Sequence, residues 1–531
     1  MIKFIIGLVN REYGWERILE QEKVPWEIVN FRDLNKYSLI ILNSNNLSTL
    51  ILDKVRNYLM NGGAVLTDAL SLKKIDKNKI IKKIYIKNIR GSNNLFRNLN
   101  FINIEMFGYR IKEANVGKIN EKYRAIYISK FGNGFVIALP FNLNDLMLDE
   151  RSKKLYFSSP NVLLKEEVSL VSKGNLRRLI VNCFHYLHLI RGIPYIHIWY
   201  YPNNYHTVFC YRLDLDIFND KEINNIISII KRNNISFSWF LSVINNKNYK
   251  KGIKYLYKIN QDIQSHSYEH IIYNSFEKNY DNILKSNNFI LKLLNKPPIG
   301  FAAPFGHWNK SLGESLEKLN FLYSSEFSLS YDDLPFYPYL YKSKSKIIQI
   351  PIYPICMGSL KMRLYSIRQM KNYFNYLINM QYNKQMSLVL YDHPTECGKY
   401  PQVLNFIINK IKSLPNLKII NLTEFAKWWK KREKKSFSLD FFNNKLKINT
   451  NNKDKDVYLR IITPKDEEIR VPLRDCTLRL DKLHKKSMLI FKERNIRKID
   501  ILKSKISFSI FYLGVLFKSI KRRVYNIFPR L

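Results

Sequence analysis

Phe209-Cys210-Tyr211-Arg212-Leu213-Asp214-Leu215-Asp216 is an apolar run into which three charged residues enter at every second position. Alternation with a period of two predicts a strand with Arg212, Asp214 and Asp216 on one face. Two carboxylates at the carboxyl end of a buried strand are costly unless a cation compensates them. A salt bridge from Arg212 and a bound metal ion both meet that requirement, and the octapeptide alone does not choose between them.

Fifty residues further on, Ile263-Gln264-Ser265-His266-Ser267-Tyr268-Glu269-His270 supplies two histidines at i and i+4. On one helical turn these imidazoles would lie side by side. Two imidazoles and one carboxylate form a set that holds Zn²⁺ or a similar divalent ion while leaving positions open for water and substrate. Asp216, His266 and His270 are therefore the predicted metal ligands. A second histidine pair, His185 and His188, lies three apart on a predicted helix without a matching carboxylate and reads as core.

Further motifs follow in order. They are Phe301-Ala302-Ala303-Pro304-Phe305-Gly306, Tyr323-Ser324-Ser325-Glu326-Phe327, Leu388-Val389-Leu390-Tyr391-Asp392-His393-Pro394 and a closing Trp428-Trp429-Lys430-Lys431-Arg432. With Asp214-x-Asp216 and His266-Ser267-x-x-His270, these resemble the ordered motifs of the polysaccharide deacetylases, carbohydrate esterases that remove N-acetyl groups from glycans. The resemblance covers about 205–432. It implies a distorted (β/α) barrel with its site at the carboxyl ends of the strands. It also implies that Asp216, His266 and His270 bind metal, Asp214 is the general base, His393 the general acid and the backbone N–H near Phe305 an oxyanion donor. The family places an arginine beside its base, and this sequence has Ala302 there. Residues two apart on a strand are separated by ~6.6–7 Å, so Arg212 is expected to reach Asp214 from the same strand and take that arginine's place. His307 reads as a loop residue, and Trp308, Tyr268 and Tyr391 are aromatic candidates for contact with a sugar ring.

The rest of the 531 residues is expected to form an α/β protein around this barrel. From residue 1 to 150, Lys3–Val9, Trp26–Phe31, Leu39–Leu42 and Ala64–Thr67 read as strands, and Glu16–Gln21 and Ser48–Met60 as helices. The second helix should stop at Asn61-Gly62-Gly63. This alternation predicts a parallel, doubly wound, flavodoxin-like sheet. Together with the closing Phe131-Gly132-Asn133-Gly134-Phe135-Val136-Ile137-Ala138-Leu139-Pro140, it resembles class I glutamine amidotransferase-like domains. Their chemistry needs a cysteine on a strand-to-helix elbow, and the first cysteine here is Cys183, so the domain is expected to be a platform without a nucleophile. Residues 151–204 read as a connector and 433–500 as a small β-rich appendage with strands near Leu446–Asn449, Val457–Ile462 and Glu468–Pro472. The last segment, 501–531, reads as a basic amphipathic tail.

Composition excludes some classes. With 46% hydrophobic residues and no Gly-X-Y or heptad repeat, the chain is globular. Five scattered cysteines without a C-x-x-C pair indicate neither a disulfide framework nor a thiolate zinc site, and point to a reducing compartment. The N-terminus lacks the length and cleavage site of a signal peptide, and no apolar run approaches the ~20 residues needed to cross a bilayer. A cytoplasmic protein is expected, with peripheral seating at the inner membrane face as an extension of that reading.

The 87 Lys+Arg against 44 Asp+Glu give a net charge of +43. This suits an acidic partner such as an anionic membrane surface or a phosphorylated glycan carrier, and equally suits a basic surface spread over the whole molecule. No nucleic-acid motif accompanies the charge, so nucleic acid is not the expected partner. From Asp481 to Leu531 there are fourteen basic and three acidic residues around the apolar run Ile506–Phe517. Burial in a membrane interface and docking on the protein itself both fit that pattern. The functional expectation is a metal-dependent N-deacetylase of an acetylated amino-sugar glycan or carrier-linked precursor. The alternative is a glycan-binding or assembly protein of the same fold without turnover.

Overall fold

The computed structural model of the chain describes residues 2–43, 47–99, 101–160, 163–442 and 445–488, with 500, 502, 503, 506 and 509. The central unit is a curled sheet of parallel strands: β1 (Thr207–Leu215), β2 (Ser238–Leu241), β3 (Asp262–Ser265), β4 (Gly300–Phe301), β5 (Tyr323–Ser324), β6 (Ile348–Gln349), β7 (Leu388–Asp392) and β8 (Leu417–Ile419). Their order is β6-β5-β4-β3-β2-β1-β7, and β8 pairs with the start of β1. The Tyr353 N–H donates to Val389 O at 2.9 Å and so links the segment after β6 to β7 across the open side. Every residue of β1 is buried, because β1 is paired along both edges and covered on both faces. Its apolar residues therefore read as a near-continuous run.

In the N-terminal region the parallel expectation holds for five strands and then fails. Trp26–Ile28, Ile6–Leu8, Leu39–Leu42, Ala64–Asp68 and Gly134–Leu139 are parallel in that order. The sheet then continues through Tyr123–Phe131, Val116–Ile119, Ile81–Arg90 and Ile102–Ile111, all antiparallel to their neighbours. Tight turns such as Asn120-Glu121 and Gly132, both at positive φ, join consecutive strands in this part of the sheet. Such short turns can join only antiparallel strands, since a parallel pair needs a crossover. The helix expected at Ser48–Met60 spans Thr49–Met60 with Ser48 as its N-cap, and it stops where expected, with Gly62 at φ 93°.

The connector and the C-terminal segment are woven into the body. Helix Lys173–Leu189 packs on the strands Leu39–Leu42 and Ala64–Asp68. It carries His185 and His188 into the core, where His188 bonds the Phe184 carbonyl at 2.7 Å and Ser38 Oγ at 2.9 Å. The expected appendage is two sheets, each completed by a strand from elsewhere. Phe437–Phe442, Lys445–Thr450 and Cys476–Arg479 take Ile2–Lys3 as an edge, while Tyr458–Ile462, Glu467–Pro472 and Lys486–Ser487 take Tyr195–Ile198. The anticipated first strand, Lys3–Val9, is accordingly split between two sheets. The tail expected at 501–531 and its apolar run lie outside the described residues apart from isolated positions. Among the described residues, no helix is long and apolar enough to cross a membrane.

A buried ionic network fastens these parts together. Asp333, in the segment after β5, accepts from Arg17 at 2.6 Å and from Arg177 at 2.8 Å, and Arg177 also reaches Glu22 at 2.7 Å. Burial would raise the Asp333 carboxyl, but the two guanidinium groups outweigh it and hold the carboxyl below its ordinary value. Removing the carboxylate leaves the buried Arg17 guanidinium unpaired and Arg177 with Glu22 alone, so Asp333→Ala should cost about 3–5 kcal/mol. Urea unfolding followed by circular dichroism checks this as a lower midpoint, and an unchanged midpoint would contradict the role of the network.

Candidate metal centre

Asp216 lies one residue beyond β1, turned by the bond from its own N–H to Asp214 O at 3.0 Å. His266 and His270 follow β3 in a loop, where a helix was expected. Ser267 and His270 occupy the left-handed region at φ 65° and 59°, which β-carbon crowding makes unfavourable for non-glycine residues. These two backbone reversals, and not helical periodicity, bring the imidazoles together, with ring centroids 4.9 Å apart.

Asp216 Oδ1 lies 3.4 Å from His266 Nε2 and 3.1 Å from His270 Nε2. One donor atom from each of these three residues fits within a 4.8 Å cluster. His266 Nδ1 donates to Ala302 O at 2.7 Å, which fixes the tautomer and aims the Nε2 lone pair inward. Asp216 Oδ1 is buried and has no hydrogen-bond partner. Two imidazole nitrogens and a carboxylate oxygen converging on one point form a donor set that could hold a divalent cation. Burial opposes charge on Asp216, but the two histidines outweigh it and hold this carboxyl far below the carboxylate range.

Arg212 and Asp214 face the same side of β1 and form a bidentate pair. Nε donates to Oδ1 at 2.5 Å and Nη2 to Oδ2 at 2.6 Å, with both side chains almost fully buried. The third guanidinium nitrogen donates to the Ser325 carbonyl. Phe240 and Tyr391 flank the guanidinium carbon at 5.2 and 5.7 Å from their ring centres. Arg212 thus reaches Asp214 from the same strand, as their spacing of two predicts.

His393, at the carboxyl end of β7, places Nε2 3.4 Å from Asp216 Oδ2. Burial alone would lower its pKa, yet a hydrogen bond with Cys356 and the facing carboxylates of Asp214 and Asp216 push it up to about 10. Phe305 sits in the turn Pro304–Gly306 at φ 59°, with its ring 5.2 Å from that of His270 and 70% exposed. His307 is exposed beside it and is not part of the metal cluster. Tyr391 is buried with its hydroxyl on Pro354 O, whereas Tyr268 and Trp308 are half-buried.

Three further residues had no role assigned from the sequence. Glu326 is fully buried and accepts from the Ala303 N–H at 3.1 Å and from Gln349 at 2.6 Å, and burial raises its carboxyl to about 7. Asp392, raised to about 7 by burial, accepts from the Met357 N–H at 3.1 Å and from the Tyr211 hydroxyl at 3.2 Å. A lone charged residue after the small Ser324-Ser325 pair was a visible signal for Glu326. Cys356 carried none.

With this geometry described, the chain can be set beside known proteins. Residues 214–324 match the family model described as Polysaccharide deacetylase. Over those residues the chain is similar to that family. Among solved structures it is similar to a protein from Mycobacterium smegmatis assigned as a polysaccharide deacetylase, at 12% identity, covering 44% of this chain and 94% of that one with a TM-score of 0.40. It is also similar to a CE4 family pseudoenzyme from Bacillus anthracis, at 17% identity, covering 43% and 68% with a TM-score of 0.31. No curated protein matches at significance. The family match begins at Asp214, spans both metal-loop histidines and ends on β5.

Purified protein is expected to carry one divalent ion per chain, measured by elemental analysis. Asp216→Asn and His266→Ala should each lose most of it, by about tenfold or more in affinity, because each removes a direct ligand. Acidification should release the ion, since the imidazoles must be neutral to bind it.

Proposed function

We propose that this chain is a metal-dependent N-deacetylase acting on an acetamido sugar of a surface glycan or its carrier-linked precursor. The observation that carries the reading is the Arg212–Asp214 clamp set beside the Asp216, His266 and His270 cluster with His393 opposite. A divalent ion such as Zn²⁺, held by those three ligands, would acidify a water and polarise the amide carbonyl. Each remaining step belongs to a side chain of this protein. Asp214, locked in orientation by two parallel bonds from Arg212, accepts the proton of the attacking water. The Gly306 and His307 N–H groups are committed within the turn to Ala303 O and Pro304 O, so the donor offered to the developing oxyanion is that of Phe305. His393, whose Nε2 faces the Asp216 carboxylate across the cluster, is the group placed to deliver a proton to the departing amine.

The exposed Phe305 ring at the mouth is the surface best placed to lie against a sugar, in place of the buried Tyr391. Residues 1–150 serve as an amidotransferase-like platform without a nucleophile, every cysteine of the chain lying beyond them. A second reading is favoured by one observation, Ala302 in place of the family's arginine. It makes the protein a glycan-binding or assembly factor that keeps the fold without turnover.

Acetate release from acetylated amino sugars separates these readings. The deacetylase reading expects turnover that falls by roughly a hundredfold or more in His393→Ala, the usual scale for a lost general acid. Arg212→Ala should reduce turnover strongly while metal content stays nearly intact, because Asp216, His266 and His270 are untouched. Metal-loaded protein with no acetate release from any such sugar would favour the binding reading.

A further inference from the structure

We infer that the site-bearing end of the barrel seats on an anionic membrane surface through two apolar, basic projections that flank the metal centre. The first belongs to the metal loops themselves. Ile217 follows Asp216, Ile271 follows His270, and Ile244 donates its N–H to Tyr268 O at 2.9 Å between the two histidines. These side chains are 58, 45 and 41% exposed, and Phe305 joins them. Lys247, Lys250 and Lys251, all exposed, lie on the same connection after β2.

The second projection is the turn joining helix Met357–Met362 to helix Ile367–Asn383. The first helix is anchored at the site by the Met357 N–H on Asp392, at the carboxyl end of β7. Its turn exposes Met362 by 54%, Leu364 by 60% and Ile367 by 38%. Leu364 holds φ at 59°, in a helix-ending turn where the Leu364 N–H reaches Lys361 O and the Tyr365 N–H reaches Leu360 O. Glycine suits that position best, so a large apolar side chain there opposes both backbone preference and exposure to water. From residue 361 to 371 there are four basic residues and no acidic one, Lys361 being paired with Glu396 at 3.0 Å, and from 244 to 254 there are again four and none. Isolated apolar side chains ringed by Lys and Arg match the apolar interior and anionic headgroups of a lipid interface. The amide-bearing end of a carrier-linked sugar would then meet the metal centre at the membrane. The inference stands or falls separately from the deacetylase reading, since it is measured without turnover.

The full chain is sedimented with vesicles of phosphatidylcholine alone and of phosphatidylcholine with phosphatidylglycerol. Binding to the anionic vesicles is expected, weakening with salt. The variant combining Met362→Ser, Leu364→Ser and Ile367→Ser should bind about tenfold more weakly or worse, with its circular dichroism and metal content unchanged. A Leu364→Cys variant in a Cys476→Ser background, carrying an environment-sensitive label, reports the contact directly, because the other four cysteines are buried. Its emission should shift to shorter wavelength on anionic vesicles. Absence of binding by the full chain, undiminished binding by the triple variant, or an unshifted label on sedimented protein would each overturn the inference. The last two results would place the lipid contact elsewhere, as on the tail. A triple variant that changes oligomeric state while binding vesicles normally would also overturn it, by assigning the face to another protein chain.

Discussion

A guanidinium and a carboxylate two residues apart on one fully buried strand set the terms for the site. Arg212 and Asp214 are each nearly without solvent, and such a pair is tolerable in a low-dielectric interior only when its geometry is close to ideal and the remaining donors are satisfied. Both conditions are met. Two parallel bonds join the pair, the Ser325 carbonyl takes a further N–H, and two aromatic rings flank the cation. The consequence is rigidity. Asp214 has little rotational freedom, and the proposed role as a base beside a bound ion would gain from that fixed orientation. Ala302 contributes through its backbone, whose carbonyl orients His266.

The cluster of Asp216, His266 and His270 draws on a different resource. Ser267, His270 and Phe305 all adopt the left-handed conformation without being glycine, each at a cost of order 1 kcal/mol, and all border the cluster. Without those reversals, His270 would continue away from His266 and the Phe305 turn would not close over the loop. The energy that holds them comes from the surrounding barrel. Asn282 accepts from the N–H groups of Tyr268 and Glu269, and its own amide donates to Ile271 O, so the loop is gripped at several backbone points by one buried side chain.

Much of this was legible in the sequence, and the parts that were not share a cause. The period-two face of Arg212 and Asp214, the helix stop at Asn61-Gly62-Gly63 and the strand Leu39–Leu42 follow from local chemistry and stand where that chemistry puts them. The i, i+4 spacing of His266 and His270 identified two residues that converge but named the wrong backbone, because Ser and His give no outward sign of a left-handed conformation. The antiparallel half of the N-terminal sheet and the shared C-terminal sheets depend on strand partners distant in sequence, Ile2–Lys3 with Asp440–Phe441 being the extreme case. Glu326 and Cys356 matter through neighbours that only the fold supplies.

The central claim is that Asp216, His266 and His270 hold an ion while Arg212 keeps Asp214 turned towards it. Crystals of the zinc-loaded protein measured at the zinc absorption edge test both halves at once. An anomalous peak ~2.0–2.2 Å from Asp216, His266 Nε2 and His270 Nε2, with the Arg212–Asp214 pair intact, is the expected result. A peak at other residues, or Arg212 turned away from Asp214 once the ion is in place, would contradict it.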